Sequence, residues 1–217
     1  MKTLRFTMSL ALLTIFSVSF LNASKKNLET DFAQADSINP KVEFSLFYEY
    51  HKNKDYTSAA PHGWNIIHTN PEQFIKYKPF RKMEDILWYM HDSTNADDNQ
   101  KAAIADTTIF LYNRAMKTNE DLSSYFQVKK AFVMENWKDL PAAEVIAEYE
   151  KAISMDPSTS TFYKDRLGQL YAKNAADDND FLEKALELYS QMSEAEPDNA
   201  LWISRIEALA QNPEELM

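Results

Sequence analysis

EVIAEYEKAISMDP, residues Glu144 to Pro157, recurs in altered form forty residues later as KALELYSQMSEAEP, residues Lys184 to Pro197. In both stretches a small or apolar residue is followed four positions on by Tyr, three further on by Ala or Met, and five further on by Pro. Spacings of four and three place side chains on one face of a helix. Proline ends the helix, because it lacks an N–H group and clashes with the preceding turn. A helix that recurs together with its stop signal predicts a helical repeat array.

The segment before the second stretch completes a helical hairpin. YKDRLGQLY, residues Tyr163 to Tyr171, has Leu167 and Gly168 followed by Tyr171. These segments resemble the tetratricopeptide repeat family, in which two helices form one repeat and a small residue lies where they cross closely. The resemblance implies an all-α fold, an α/α superhelix or right-handed solenoid of helix-turn-helix repeats. It implies an architecture and does not by itself name a ligand.

The composition argues against several kinds of site. Gly occurs only at Gly63 and Gly168, whereas a glycine-rich phosphate loop needs several amides crowded against its ligand. The chain has no Cys, which excludes disulfides, thiolate zinc sites and cysteine nucleophiles. Its 217 residues carry a formal net charge of −10, while nucleic-acid-binding proteins usually show a basic face. We therefore expect one domain with a sizeable core and no nucleic-acid partner.

The first 23 residues have the pattern of a signal peptide. Lys2 and Arg5 form a basic start, residues 6–20 form an apolar run that is short for a membrane span, and Ala23 ends the cleavage site. We expect export to the periplasm or outside the cell, with no integral membrane span after cleavage; an uncleaved N-terminal anchor is the alternative. Loss of Lys2 and Arg5 would change the formal charge from −10 to −12. Residues 24–40 are expected to form a flexible lead-in.

Four repeats and a terminal helix are predicted in a repeat domain over residues 41–217. The repeats cover about 41–74, 80–121, 124–158 and 161–198, and a capping helix covers 199–211. That last helix is either the cap that an array needs for solubility or the first half of an unfinished repeat.

The first two repeats give the more detailed predictions. In the first, Leu46 and Tyr50 are expected to pack against the second helix, Pro61 is expected to kink that helix, and Gly63 stands where the family usually has an aromatic residue. In the second, we expect a helix over Met83–His91, a loop over Ser93–Gln100 and a second helix over Ala102–Lys117.

No catalytic or metal site is predicted. The histidines are His51, His62, His68 and His91. They lack the spacing that places two metal ligands on one helix face. The acidic loops at residues 97–99 and 177–180 lack the Gly that a calcium loop of the EF-hand type needs. No pair of carboxylates converges, and no G-x-S-x-G elbow occurs, so we expect no enzyme activity and no cofactor.

The run FIKYKPFRK, Phe74 to Lys82, concentrates positive charge in an acidic chain. Its cations are Lys76, Lys78, Arg81 and Lys82. One interpretation is a patch that captures a carboxylate, an acidic peptide or an anionic surface. The other is a solvated loop in which Pro79 breaks regular structure while Tyr77 and Phe80 pack beneath. The sequence leaves both interpretations open.

The family resemblance also implies a binding face, because the first helices of such repeats line the concave side of the superhelix. Continuing the register places these residues there: Phe44, Tyr48, His51, Arg81, Trp88, His91, Lys130, Met134, Trp137, Phe162, Asp165 and Gln169. Trp and Tyr are favoured contact residues in interfaces. The family's clamp for the C-terminal tail of chaperones is not matched, since Phe44 and Tyr48 occupy the corresponding positions.

These observations predict an exported, non-enzymatic binding module or scaffold that holds a partner protein or an extended peptide on its concave face. A carbohydrate or cell-wall ligand is the first alternative, because Tyr48, Trp88 and Trp137 could stack on sugar rings. An enzyme built on a repeat scaffold and a purely structural subunit are further alternatives. The sequence favours no particular oligomeric state.

Overall fold

The computed structural model describes residues 39–176 and 179–211, and all regular structure in these residues is helical. The α-helices are α1 (Pro40–Lys52), α2 (Tyr56–Thr69), α3 (Pro79–Asp92), α4 (Asp98–Thr118), α5 (Ser123–Trp137), α6 (Ala142–Met155), α7 (Thr161–Lys173), α8 (Asn179–Ala195) and α9 (Ala200–Gln211). Short 3-10 helices cover Glu72–Tyr77 and Glu120–Leu122. The predicted all-α fold class is confirmed. The predicted signal peptide and nearly all of the lead-in lie outside the described residues.

The chain divides into two compact units between Leu111 and Tyr112, inside α4. In the first unit α2 packs against α1 and α3. In the second unit α6 packs against α5 and α7, and α8 packs against α7 and α9. These consecutive helices thus pack as a helical repeat requires, although the predicted repeat bounds stay a prediction. Helix α9 follows α8 as the first helix of a further repeat would.

The core of the first unit forms where α1 and α3 approach the backbone of α2. Phe47, Ile66 and Met83 are fully buried. A Cβ atom on Gly63 would lie 2.3 Å from Met83 Sδ and 2.7 Å from Phe47 Cε2, so glycine is required for this approach. The prediction for Leu46 is wrong, because its side chain is 36% exposed and the neighbouring Phe47 occupies the buried face of α1 instead. Helix α2 includes Pro61 and continues to Thr69.

Two helices of the first unit begin earlier than the sequence predicts. Helix α3 begins at Pro79, because proline suits the first helical position, so the basic run is not a loop. Helix α4 begins at Asp98, inside the predicted loop. Asp97 and Gln100 explain this start: the Gln100 N–H donates to the Asp97 carboxylate and the Asp97 N–H donates to Gln100 Oε1, both at 2.9 Å. This reciprocal capping satisfies two amides of the first turn.

In the second unit, each copy of the repeated stretch forms a helix that ends before its proline, as predicted. Helices α6 and α8 end at Met155 and Ala195, two residues before Pro157 and Pro197. The tyrosines at the centre of each stretch are buried. A Cβ atom on Gly168 of α7 would lie 2.5 Å from Cζ of Tyr189 in α8. The predicted small residue is therefore the point at which α7 and α8 cross.

The Gly168→Ala substitution is expected to destabilise the protein by about 1–3 kcal/mol, because the new methyl group overlaps a buried ring. Alanine alone favours a helix over glycine by about 1 kcal/mol, so packing must outweigh propensity. Chemical denaturation followed by circular dichroism measures the difference. In a Tyr189→Ala background the overlapping ring is absent, and Gly168→Ala should then stabilise. Equal destabilisation in both backgrounds would contradict the packing explanation.

Candidate functional site

A groove of about 720 Å³ lies in the second unit. Its walls come mainly from α5 and α7, the first helices of the pairs α5–α6 and α7–α8, and from α9. The lining residues used below are Met134, Glu135, Lys138, Asp139, Arg166, Gln169, Leu170, Lys173, Asn174, Tyr189, Arg205, Ala208 and Leu209. The groove mixes aliphatic, amide and charged side chains.

One wall is held by a cluster of three residues, which we call the Tyr149 triad. The Tyr149 hydroxyl in α6 donates to Glu135 Oε2 in α5 at 2.6 Å. Arg166 in α7 donates to the same carboxylate through both Nε, at 3.1 Å, and a terminal nitrogen, at 2.5 Å. Tyr149 is fully buried and the Glu135 side chain is 10% exposed. Three consecutive helices therefore meet at one carboxylate.

The same arrangement occurs one repeat later as the Tyr189 triad. The Tyr189 hydroxyl in α8 donates to Asp165 Oδ1 in α7 at 3.0 Å. Arg205 in α9 donates to Asp165 through Nε and a terminal nitrogen, at 3.1 and 3.2 Å. Gln169 also donates to this carboxylate at 2.7 Å. In both triads, three consecutive helices thus supply a carboxylate, a tyrosine and an arginine in that order.

The contacts in the triads raise the pKa of both tyrosines and of Arg166. Burial, the hydrogen bond to Glu135 and its charge raise the pKa of the Tyr149 phenol far above its ordinary value. Burial and the charge of Asp165 likewise raise the pKa of Tyr189. The hydrogen bond to Glu135 raises the pKa of the Arg166 guanidinium. The Tyr149 and Tyr189 phenols stay protonated at neutral pH, so both triads keep the hydrogen bonds of their phenols there.

The triads leave the groove with nearly balanced charge. Arg166 and Arg205 are bound to carboxylates in the walls. Lys138, Asp139 and Lys173 are the other charged side chains of the lining. The lining therefore presents mainly amide and aliphatic groups to a ligand.

The structure separates the six predicted contact residues of the second unit, of which Asp165 is the carboxylate of the Tyr189 triad. Met134 is nearly buried and lines the groove, as does Gln169. Lys130 instead donates to Glu148 Oε1 of α6 at 2.7 Å. Phe162 is 54% exposed and contacts the rings of Phe132 and Tyr163.

Trp137 is half-buried and, among the described residues, lies outside the groove lining, as do Lys130 and Phe162.

Burial acts to raise the pKa of Glu148, but hydrogen bonds from Lys130 and Gln127 outweigh it and lower that pKa. Lys130 is thus engaged with α6.

The other six predicted contact residues lie in the first unit. Phe44 and Tyr48 come together on α1, with ring centroids 6.0 Å apart. His51 Nε2 lies 3.1 Å from an Asp85 carboxylate oxygen. The remaining three are on α3. Arg81 Nε is 3.6 Å from Glu84 Oε2, and His91 Nδ1 is 2.6 Å from Asp92 Oδ1. Trp88 is half-buried. Their use as contacts stays a prediction.

The sequence prediction omitted both arginines of the triads. Arg166-Leu167 followed by Leu170 in α7 matches Arg205-Ile206 followed by Leu209 in α9. This second repeated pattern, thirty-nine residues apart, was present in the sequence and would have aligned α9 with the first helix of a repeat.

The described residues contain no group of three or more His, Cys, Asp or Glu side chains arranged to hold a metal ion. His62 contacts a single carboxylate, with Nδ1 2.8 Å from Glu43 Oε2. None of the described helices is both long and apolar enough to span a bilayer.

Comparison with solved structures identifies the fold. The structure is similar to the crystal structure of a thermophilic tetratricopeptide-repeat protein from Thermus thermophilus, with a TM-score of 0.50 and 14% sequence identity. The match covers 95% of this chain and 96% of that chain. The fold is tetratricopeptide-repeat-like. No protein-family model and no curated protein matches the sequence.

The Tyr149→Phe substitution is expected to lower the free energy of unfolding by about 1–2 kcal/mol at neutral pH, because a buried hydrogen bond to a carboxylate is lost. The raised pKa of Tyr149 means that the unfolded chain loses the phenolic proton first. The stabilisation that the Tyr149 hydrogen bond contributes is therefore fully present below about pH 10 and is lost as the pH rises above that value. The free energy of unfolding, measured by denaturation from pH 7 upward, should fall less steeply for Tyr149→Phe than for the wild type. The exposed Tyr77→Phe is the control, and an unchanged alkaline slope in Tyr149→Phe would contradict the role of the triad.

Proposed function

We propose that this chain is an exported, non-enzymatic binding module that holds an extended segment of a partner protein in the groove of its second unit. The observation that carries the proposal is the groove itself, which is lined mainly by α5, α7 and α9 and supported by two triads with buried tyrosines. Walls fixed before binding reduce the entropy lost on association.

The chemistry of the groove suits a peptide main chain. The side-chain amides of Gln169 and Asn174 each donate one hydrogen bond within the protein, to Asp165 and to the Leu170 carbonyl. Each amide has a second N–H and an oxygen that can bond to peptide groups. Leu170, Ala208 and Leu209 offer aliphatic contact to the side chains of a bound segment. A volume of about 720 Å³ accommodates several residues of an extended chain.

The same lining favours a peptide over a sugar. Sugar rings are usually bound by an exposed aromatic face, and Tyr189 supplies the aromatic side chain among the described lining residues. That ring is 1% exposed and its hydroxyl is bonded to Asp165. Stacking on Trp88 or Trp137 would require a surface other than the groove.

The carboxylates beside the groove also support a non-enzymatic role. General acid–base catalysis requires two groups whose protonation states differ and which both reach the substrate. Glu135 and Asp165 are each bound by an arginine and a tyrosine, so neither is available to transfer a proton.

Filling the groove should abolish binding without unfolding the protein. Ala208 and Ala210 are both exposed on α9, and Ala208 lines the groove while Ala210 is absent from its described lining. The Ala208→Trp variant should fail to retain partner proteins that the wild type retains from an extract of the native host. Quantitative mass spectrometry measures the retained proteins. Ala210→Trp, as the matched control, should retain them. Equal retention by both variants would overturn the groove as the binding site.

Export predicts a mature chain that begins after Ala23. The full-length protein expressed in its native host should be found outside the cytoplasm, and N-terminal sequencing should give Ser24 as its first residue. Replacing Lys2 and Arg5 with Glu should retain the precursor inside, because the basic start is lost. A cytoplasmic protein that keeps residues 1–23 would refute export.

A further inference from the structure

A second surface, in the first unit, combines exposed tyrosine rings with lysines. We call it the aromatic–basic patch, and its members are Phe44, Tyr48, Lys76, Tyr77, Lys78 and Lys82. The Phe44 ring lies 6.0 Å from the Tyr48 ring and 4.8 Å from the Tyr77 ring, measured between centroids. Tyr48 is 38% exposed and Tyr77 is 42% exposed. This contradicts the predicted loop, in which Tyr77 packs beneath.

The rings of the patch stand on a buried base. Phe74, 5% exposed, stacks under Phe44 with centroids 4.5 Å apart and planes within 6° of parallel. Phe80 and Met83 are buried at the start of α3. The exposed rings are therefore fixed in place by the core and need little ordering when a ligand binds.

The patch carries positive charge in an acidic protein. The Lys82 ammonium lies 5.1 Å from the centre of the Tyr48 ring, and the Lys76 ammonium lies 4.8 Å from that of Tyr77. Lys78 is exposed between them in sequence. The nearby carboxylates are Glu72, exposed on the same 3-10 helix, Glu84, close to Arg81, and Asp85, close to His51.

Lys78 occupies a backbone conformation that does not suit lysine. Its φ of 57° and ψ of 53° are left-handed, a region that Gly and Asn enter at lower cost. Lys78 takes this conformation where the 3-10 helix ends, and its backbone N–H donates to the Ile75 carbonyl. Its exposed side chain adds a positive charge to the patch.

We propose that the aromatic–basic patch binds an acidic segment of a partner protein in which an aromatic or large aliphatic side chain lies between carboxylates. The apolar side chain would contact Phe44 and Tyr77, and the carboxylates would pair with lysines on either side. An anionic bilayer is the less favoured occupant, because the protein as a whole carries a charge of −10 and is repelled by it. This site lies in a different unit from the groove and does not depend on the proposed function.

The first unit offers a matched control for Lys78. Lys54 is also an exposed lysine with a left-handed backbone, at φ 58°. It follows the C-terminal end of α1, outside the 3-10 helix and the start of α3 that carry the lysines of the patch. Lys78→Asn and Lys54→Asn therefore remove the same charge in the same conformation, and Asn tolerates that conformation in both places.

The probe is a fluorescein-labelled peptide of alternating Glu and Phe, titrated by anisotropy against the full chain. We expect Lys78→Asn to weaken binding roughly three- to fivefold and Lys76→Gln/Lys78→Asn to weaken it more than roughly tenfold, as expected for loss of exposed ion pairs. Lys54→Asn and the groove variant Ala208→Trp should bind as the wild type does. Added salt should reduce the affinity of the wild type. Thermal unfolding verifies that each variant is folded.

Three results would overturn the proposal. Equal weakening by Lys54→Asn and Lys78→Asn would show that only net charge matters. Binding to phosphatidylglycerol vesicles, but not to the peptide, would identify a membrane as the occupant. Self-association by light scattering that Lys78→Asn abolishes and Lys54→Asn retains would identify a second copy of the chain. A failure of the Ala208→Trp experiment would leave this test unaffected, because it concerns the groove.

Discussion

A buried phenol must donate its hydroxyl proton to an acceptor, and this constraint organises the second unit. Without an acceptor, each buried hydroxyl would cost about 1–3 kcal/mol. Tyr149 and Tyr189 meet the constraint in the same way, by donating to a carboxylate on the preceding helix. A buried carboxylate in turn needs a cation, which an arginine of the next first helix provides. One buried tyrosine thereby fixes the relative position of three helices.

The triads also determine what the groove can offer a ligand. Arg166 and Arg205 donate through two nitrogens each, a geometry that holds the guanidinium in one orientation. Their charges are compensated inside the wall, so binding in the groove must rely on shape, amides and aliphatic contact. In the first unit, by contrast, the patch lysines at Lys76 and Lys82 lie over tyrosine rings, which are weaker partners than carboxylates.

The sequence predicts the fold class and the role of the repeated stretch because both depend on local rules. Periodicity places Tyr149 and Tyr189 on the buried face, and proline ends each helix. The family resemblance predicts a close crossing at Gly168, and the short distance from a Cβ there to the Tyr189 ring confirms it. Helix starts were harder to predict, since they depend on side-chain capping. Asp97 and Gln100 begin α4 in a stretch rich in Asn and Asp that is equally typical of a loop.

Contact residues are harder to predict from sequence than helices, and Lys130 and Asp165 show the physical reason. Helical periodicity gives the face on which a side chain lies, but not the partner it meets there. Lys130 donates to Glu148 of the adjoining helix, and Asp165 accepts from Arg205, forty residues along the chain. A charged side chain that finds such a partner gains more than it would from an intermittent ligand, because its desolvation is offset permanently. Residue type and register therefore overestimate the binding surface wherever a neighbouring helix supplies the opposite charge.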